Sequence, residues 1–215
     1  MEHQTTALIL LGPAAFGFVV GGLWWAYAVR TSRSPAGAAE KFRVYDWLIG
    51  PLAMAAYAGA LAANGTGGAD ALRLGRFDGG VAAVVAVSIA ALFAVSLWSL
   101  RRGERDLPPD VAHAFRSGDL KDLPTLIVTA PVAEEFVFRG VGLALLSDVG
   151  APAAVALTAL AFGLAHVKPA MIVNAFVAGL VLGEAYLFSG GLLAPVAIHA
   201  GATLAAWSAM RWSRA

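Results

Sequence analysis

Residues 126–146 read LIVTAPVAEEFVFRGVGLALL, an apolar run that carries Glu134, Glu135 and Arg139 near its centre. About 20 apolar residues in a helix cross the hydrocarbon core of a bilayer, and this run is of that length. An ionised side chain at the bilayer centre costs about 2.5–3.5 kcal/mol on insertion scales, so three of them in one span need a compensating role. The run therefore predicts a membrane-spanning helix that carries a functional site.

The composition of the whole chain is typical of a membrane protein. Of the 215 residues, 59% are hydrophobic and 13% are charged, and the apolar residues occur in long runs. This pattern predicts an all-α fold, a polytopic integral membrane helix bundle of about seven transmembrane helices, with residues 1–215 as a single domain. The predicted spans are Ala7 to Val29, Tyr45 to Ala63, Gly80 to Leu100, Leu126 to Leu146, Pro152 to Val167, Pro169 to Phe188 and Leu192 to Arg211.

The Lys and Arg residues are distributed unevenly between the two sides of these spans. Twelve of the 15 are predicted on one side, Arg73 and Arg76 on the other, and Arg139 inside the membrane. Because cytoplasmic loops are enriched in basic residues, we expect a multi-pass protein of the cell (inner) membrane with its N-terminus outside and its C-terminus in the cytoplasm.

The net charge of +1 predicts no nucleic-acid partner, and the absence of cysteine excludes disulfides, Cys-ligated zinc and thiol nucleophiles. The oligomeric state is not set by the sequence.

The two adjacent glutamates are predicted to have different partners. Glu135 and Arg139 are four residues apart and therefore share one face of a helix, where they can form an ion pair. Glu134 is turned away from Glu135 by about 100° and lacks a local counter-ion. A carboxylate in that position is suited to general acid and base chemistry. Glu134 is thus the candidate for the reaction, and the other two are candidates for the scaffold.

Two histidines, His166 and His199, occur within the later predicted spans. Ionisable groups inside a membrane usually face the bundle interior or a wet cavity, so we expect these rings to converge with Glu134 on one site. From the rise of about 1.5 Å per residue, Glu135 and His199 should lie near mid-membrane and His166 closer to the cytoplasmic surface. A cavity that opens to the cytoplasmic side would fit these depths.

Small residues predict where two helices approach each other closely. Gly179 and Gly183 have the small-xxx-small spacing that lets two helix backbones come into contact. We therefore expect close helix packing in the sixth predicted span.

In their order along the chain, these motifs resemble those of the CPBP intramembrane proteases. That family includes the CAAX prenyl-protein endopeptidases and the bacteriocin-processing or self-immunity (ABI) proteins, with the pattern EExxxR, FxxxH and HxxxN on successive helices. Residues 134–139 match the first motif, residues 162–166 match the second, and His199 begins the third. The resemblance covers about Pro124 to Trp207, which we take as the catalytic core (residues 124–207).

The resemblance implies hydrolysis of a peptide bond within or beside the membrane. Its substrate would be a membrane-associated peptide or protein, either lipidated or carrying a sorting tail. Glu134 would activate the water, His166 would help to hold it, and His199 would stabilise the oxyanion. Glu135, Arg139 and Phe162 would support the site.

This chain departs from the family pattern at Thr203, where the family usually has Asn. An Asn amide can donate a hydrogen bond to an oxyanion, whereas Thr offers a shorter hydroxyl donor. Asn174, one span earlier, is a candidate to supply the amide instead.

Metal dependence is left open by the resemblance, because the family has also been described as metal-dependent. Glu134, His166 and His199 could bind Zn²⁺ with one open position. The metal-free mechanism, with no cofactor, is favoured because the chain lacks the HExxH spacing that places two ligands on one helix face.

Two other classes of function fit the same residues. In a proton-coupled transporter, Glu134, His166 and His199 would form a proton relay, but the two halves of the chain show no convincing repeat. A non-catalytic binding or immunity protein could retain the fold without the reaction, and Thr203 favours that class.

Overall fold

The computed structural model describes residues 27, 30–34, 37, 73–103, 125–166 and 169–212. The predicted spans Ala7 to Val29 and Tyr45 to Ala63 lie, apart from Tyr27, outside the described residues. Within residues 73–212 the described secondary structure is helical, without a strand. The helices are α1 (Gly79–Gly103), α2 (residues 125–145), α3 (Ala151–Leu164), α4 (Pro169–Ser189) and α5 (Leu193–Trp212), with a 3₁₀ turn at Ser147–Val149 between α2 and α3.

Three of these helices are long and apolar enough to cross a membrane. The apolar segments are Gly79–Trp98 of α1, Met171–Ser189 of α4 and Leu193–Met210 of α5. They correspond to the third, sixth and seventh predicted spans, so the expectation of an all-helical integral membrane protein is confirmed in the described part. The number of seven spans stays a prediction. The fifth predicted span is shorter than expected, because α3 ends at Leu164.

The fourth predicted span, α2, is helical along its length but is not a regular α-helix. Its segments Thr125–Thr129 and Phe136–Gly142 are π-helical, with α-helical turns at Ala130–Glu135 and Leu143–Leu145. Pro131 has no backbone N–H and so removes one α-helical bond just after the first π segment. Gly140 and Gly142, which have low helix propensity, lie in the second π segment. The π turn that begins at Phe136 directly follows the two glutamates, and such turns are frequent at functional sites.

Helix α4 lies between two groups of buried apolar side chains. One group joins α4 to α2 and α3, and includes Phe136, Val155 and Tyr186. The other joins it to α1 and α5, and includes Val85 and Leu182 along with residues of α5. Because α4 contributes to both, it is the central helix of the described bundle.

The predicted close approach at Gly179 and Gly183 is confirmed, and the partner is α3. A Cβ built on Gly179 would lie 2.8 Å from the Cα of Ala159, and one built on Gly183 would lie 2.8 Å from Cγ1 of Val155. Both distances are shorter than van der Waals contact. The glycines therefore allow the two backbones to pack directly against each other, as small residues do in membrane helix pairs.

We expect Gly179→Ala to lower the free energy of unfolding by about 1–3 kcal/mol, the usual cost of overpacking a tight contact. The added methyl group meets the backbone of Ala159, which cannot move without separating α3 from α4. Gly79→Ala is the matched control, because a Cβ there meets nothing within 4 Å. Thermal unfolding in detergent micelles measures both variants. Equal melting temperatures for the two would contradict the proposed packing.

The turn between α4 and α5 is held by the segment that precedes α1. Backbone N–H groups of Leu192 and Leu193 donate to the carbonyls of Arg73 (2.8 Å) and Leu74 (3.0 Å). In the other direction, Arg76 N–H donates to the carbonyl of Ser189 at 2.9 Å. These bonds fix the point at which α5 begins and therefore the depth of the residues on its first two turns, among them His199.

Helix α1 begins with a carboxylate cap. Oδ1 of Asp78 accepts a hydrogen bond from Val81 N–H at 2.9 Å, which holds the pKa of that carboxyl below its usual value. Arg76 Nη1 pairs with Oδ2 of the same residue at 3.2 Å, and both side chains are at least half exposed. This pair is therefore a solvated ion pair at the end of the bundle.

Candidate active site

Four helices contribute groups to one polar cluster inside the apolar bundle. Helix α2 contributes two glutamates and an arginine, and α5 contributes a histidine. Helices α3 and α4 contribute an aromatic ring and a backbone carbonyl. The cluster consists of Glu134, Glu135, Arg139, Phe162, the Gly179 carbonyl and His199.

The predicted ion pair between Glu135 and Arg139 is confirmed. Arg139 Nη1 donates to Oε1 of Glu135 at 3.0 Å, and both side chains are 0% exposed. Nη2 of the same arginine donates to the carbonyl oxygen of Gly179 at 3.1 Å. The guanidinium therefore ties α2 to α4 at the position where the glycine also brings α3 close.

Phe162 packs against three of the functional side chains. The guanidinium carbon of Arg139 lies 4.6 Å from the centre of its ring, within the range of a cation–π contact. The imidazoles of His166 and His199 approach the same ring at centroid distances of 4.9 and 5.9 Å, both nearly perpendicular to it. Phe162 thus separates the two histidines and contacts both.

The two glutamates differ in exposure but share one neighbour. The side chain of Glu134 is 30% exposed, whereas that of Glu135 is 0% exposed. Oε1 of Glu135 lies 2.8 Å from Nδ1 of His199, and Oε2 of Glu134 lies 3.8 Å from Nε2 of the same ring. His199 therefore stands between the fully buried carboxylate and the more accessible one.

His166 lies just beyond the end of α3, where its Nδ1 is 2.8 Å from the carbonyl oxygen of Phe162. A carbonyl only accepts, so Nδ1 carries the hydrogen, and the Nε2 of a neutral ring is free to accept one. The rings of His166 and His199 both approach the Phe162 ring, and the depths expected for the two histidines in the membrane stay predictions.

The two other predicted site residues, Thr203 and Asn174, lie on α5 and α4. Thr203 lies one turn after His199 on α5 and is half-buried. Asn174 is half-buried in the second turn of α4. Their roles as donors to an oxyanion stay predictions.

The zinc alternative requires three donor side chains that converge on one point. Within residues 73–103, 125–166 and 169–212, no group of three His, Asp or Glu side chains is arranged to hold a metal ion. His199 Nδ1 faces Glu135, and His166 Nδ1 is bonded to its own helix. Glu134, His166 and His199 do not form a three-ligand set in this geometry.

Sequence reasoning did not identify two contacts of this site. It assigned Glu135 to Arg139 alone and did not foresee the contact with His199. It also missed the Gly179 carbonyl. The sequence did indicate that Arg139 needs a further acceptor such as this carbonyl. A guanidinium has five N–H donors, and a single carboxylate cannot satisfy an arginine buried in an apolar span.

A helical membrane bundle with a carboxylate and histidine cluster in its interior is an architecture that intramembrane hydrolases can use. Residues 116–205 match the family model for type II CAAX prenyl endopeptidase Rce1-like proteins. The resemblance predicted from the three motifs is confirmed, and the chain contains an Rce1-like domain over these residues. No curated protein and no solved structure shows significant similarity to the chain. The match associates residues 116–205 with CAAX-type proteases.

Proposed function

We propose that the protein is an intramembrane endopeptidase that uses glutamate-activated water to cleave a lipidated or sorting-tail substrate. The observation that carries the proposal is the position of Glu134. Its carboxylate is partly accessible and lies 3.8 Å from Nε2 of His199, beside a fully buried ion pair. A base needs access to water and a fixed position, and Glu134 has both.

The reaction begins when the Glu134 carboxylate takes a proton from water and the resulting hydroxide attacks the carbonyl carbon of the scissile bond. His166, whose Nδ1 is bonded to Phe162, is proposed to accept a hydrogen bond from the same water at Nε2. The carbonyl oxygen becomes an oxyanion next to His199, which donates a hydrogen bond to it from Nε2 when both ring nitrogens carry a hydrogen, with the hydroxyl of Thr203 as a further donor. Preorganised donors of this kind stabilise the charge that develops in the transition state.

The tetrahedral intermediate collapses when Glu134 returns its proton to the amide nitrogen. The C–N bond breaks, and the products are a carboxylic acid and an amine; the second proton of the water then passes from the acid to the amine, which leaves a carboxylate and an ammonium group. The carboxyl group of Glu134 thus acts first as a base and then as an acid, and it is unchanged after each turnover.

For the chain as a whole we propose the seven-span topology with the N-terminus outside and the C-terminus in the cytoplasm.

Cleavage of a prenylated CAAX-type peptide by the purified protein in proteoliposomes tests the proposal. In H₂¹⁸O, we expect the new C-terminal carboxylate to gain one ¹⁸O, since water attacks the carbonyl directly. Added hydroxylamine should give no hydroxamate, because no acyl-enzyme forms. A hydroxamate product would contradict water attack. Failure to cleave lipidated peptides and membrane-anchored tails alike would contradict the protease assignment.

A further inference from the structure

Glu135 makes a contact that an ion pair with Arg139 does not require. Its Oε1 accepts from Arg139 Nη1 at 3.0 Å and lies 2.8 Å from Nδ1 of His199. The first contact stays within α2, whereas the second reaches a residue of the active site on α5. One oxygen atom therefore connects the buried ion pair to the predicted catalytic ring.

This contact determines which nitrogen of His199 faces Glu134. A carboxylate oxygen accepts hydrogen bonds, so the His199 nitrogen beside it, Nδ1, carries a hydrogen. The bond made by one ring nitrogen fixes the orientation and the role of the other. Nε2 is then held on the side of Glu134, where the two atoms are 3.8 Å apart.

The carboxylate has little freedom to move away from this position. Its side chain is 0% exposed, and the arginine bonded to it is also held by the Gly179 carbonyl and packs on the Phe162 ring. The Phe162 ring also contacts the His199 imidazole at a centroid distance of 5.9 Å. The packing of α2, α3 and α4 therefore determines where the imidazole of His199 on α5 can lie.

We propose that Glu135 is a positioning residue of the active site, whose Oε1 keeps a hydrogen on Nδ1 of His199 and fixes the orientation of the ring so that Nε2 faces Glu134. This inference rests on the proposed function and assigns Glu135 a role beyond the scaffold pair. Misplacing a catalytic group by about 1 Å can cost about 100-fold in rate. The loss of this contact therefore has a measurable effect on the chemical step.

The kinetic test compares Glu135→Gln with Glu135→Leu. The glutamine keeps an oxygen that can accept from His199, whereas the leucine keeps similar bulk without an acceptor. We expect kcat per folded molecule to fall by about 100-fold in the leucine variant and less in the glutamine variant, with KM changed less than about twofold. If Glu135 were only structural, both variants would yield less folded protein but each folded molecule would keep its kcat.

A spectroscopic test does not depend on activity. In Glu134→Gln protein labelled with ¹⁵N-histidine, we expect Nδ1 of His199 to carry a hydrogen, and this state should be lost when Glu135→Leu is added. His166 is the internal control, since its Nδ1 is bonded to the Phe162 carbonyl and should not change. Identical His199 signals with and without Glu135→Leu would overturn the positioning role. Failure of the proposed protease function would instead appear only in the cleavage assay.

Discussion

Glu134→Gln is expected to lower kcat for peptide cleavage by about 100- to 10,000-fold, the usual contribution of a general base. The amide retains the size of the carboxyl group and can still form hydrogen bonds, but it cannot take a proton from water. Because the side chain is partly accessible and lies outside the fully buried Glu135–Arg139 pair, the fold and the membrane insertion should be preserved. Cleavage in proteoliposomes, normalised to the amount of monodisperse protein, measures the effect.

The matched control is Glu184→Gln, which makes the same chemical change at an exposed position on α4. We expect this variant to cleave at nearly the rate of the unmodified protein. Undiminished cleavage by Glu134→Gln would remove Glu134 from the chemistry. An equal loss in both variants would instead indicate that glutamine substitution damages the bundle in general.

The features that sequence predicted correctly are those that depend on neighbouring residues. Long apolar runs predicted α1, α4 and α5, because apolar length alone decides whether a helix can cross a bilayer. The Glu135–Arg139 pair followed from a spacing of four residues on one helix. The close approach at Gly179 followed from small residues one turn apart, although its partner, α3, could not be named in advance.

The features that sequence missed depend on the packing of distant segments. Glu135 and His199 are 64 residues apart, so their contact depends on how α2 and α5 are placed in the bundle. The π turn that begins at Phe136 was also not predicted, since the sequence was read there as one regular helix. The expected depths of His166 and His199 in the membrane stay predictions, whereas the hydropathy run did extend the fifth predicted span beyond the end of α3 at Leu164.

Arg139→Leu is expected to lower the free energy of unfolding by about 3–5 kcal/mol, because it leaves the carboxylate of Glu135 buried without its counter-charge. The free energy of unfolding of a native protein is only about 5–15 kcal/mol in total, so this variant should yield little folded protein. Because the side chains of Glu135 and Arg139 are both 0% exposed, water cannot replace the lost partner. Thermal or denaturant unfolding in micelles, followed by circular dichroism, measures the loss.

The double variant Glu135→Leu with Arg139→Leu separates the cost of an unpaired charge from the loss of packing. Replacing a whole buried ion pair with apolar residues is often neutral or stabilising, so the double variant should recover most of the stability lost in Arg139→Leu. Arg76→Leu is the control at the exposed pair with Asp78, where solvent screens the charges and the loss should be much smaller. A double variant less stable than Arg139→Leu would contradict this account. A double variant that is stable but still cleaves slowly would be the expected result, since the fold can dispense with the buried pair while His199 still requires the carboxylate of Glu135.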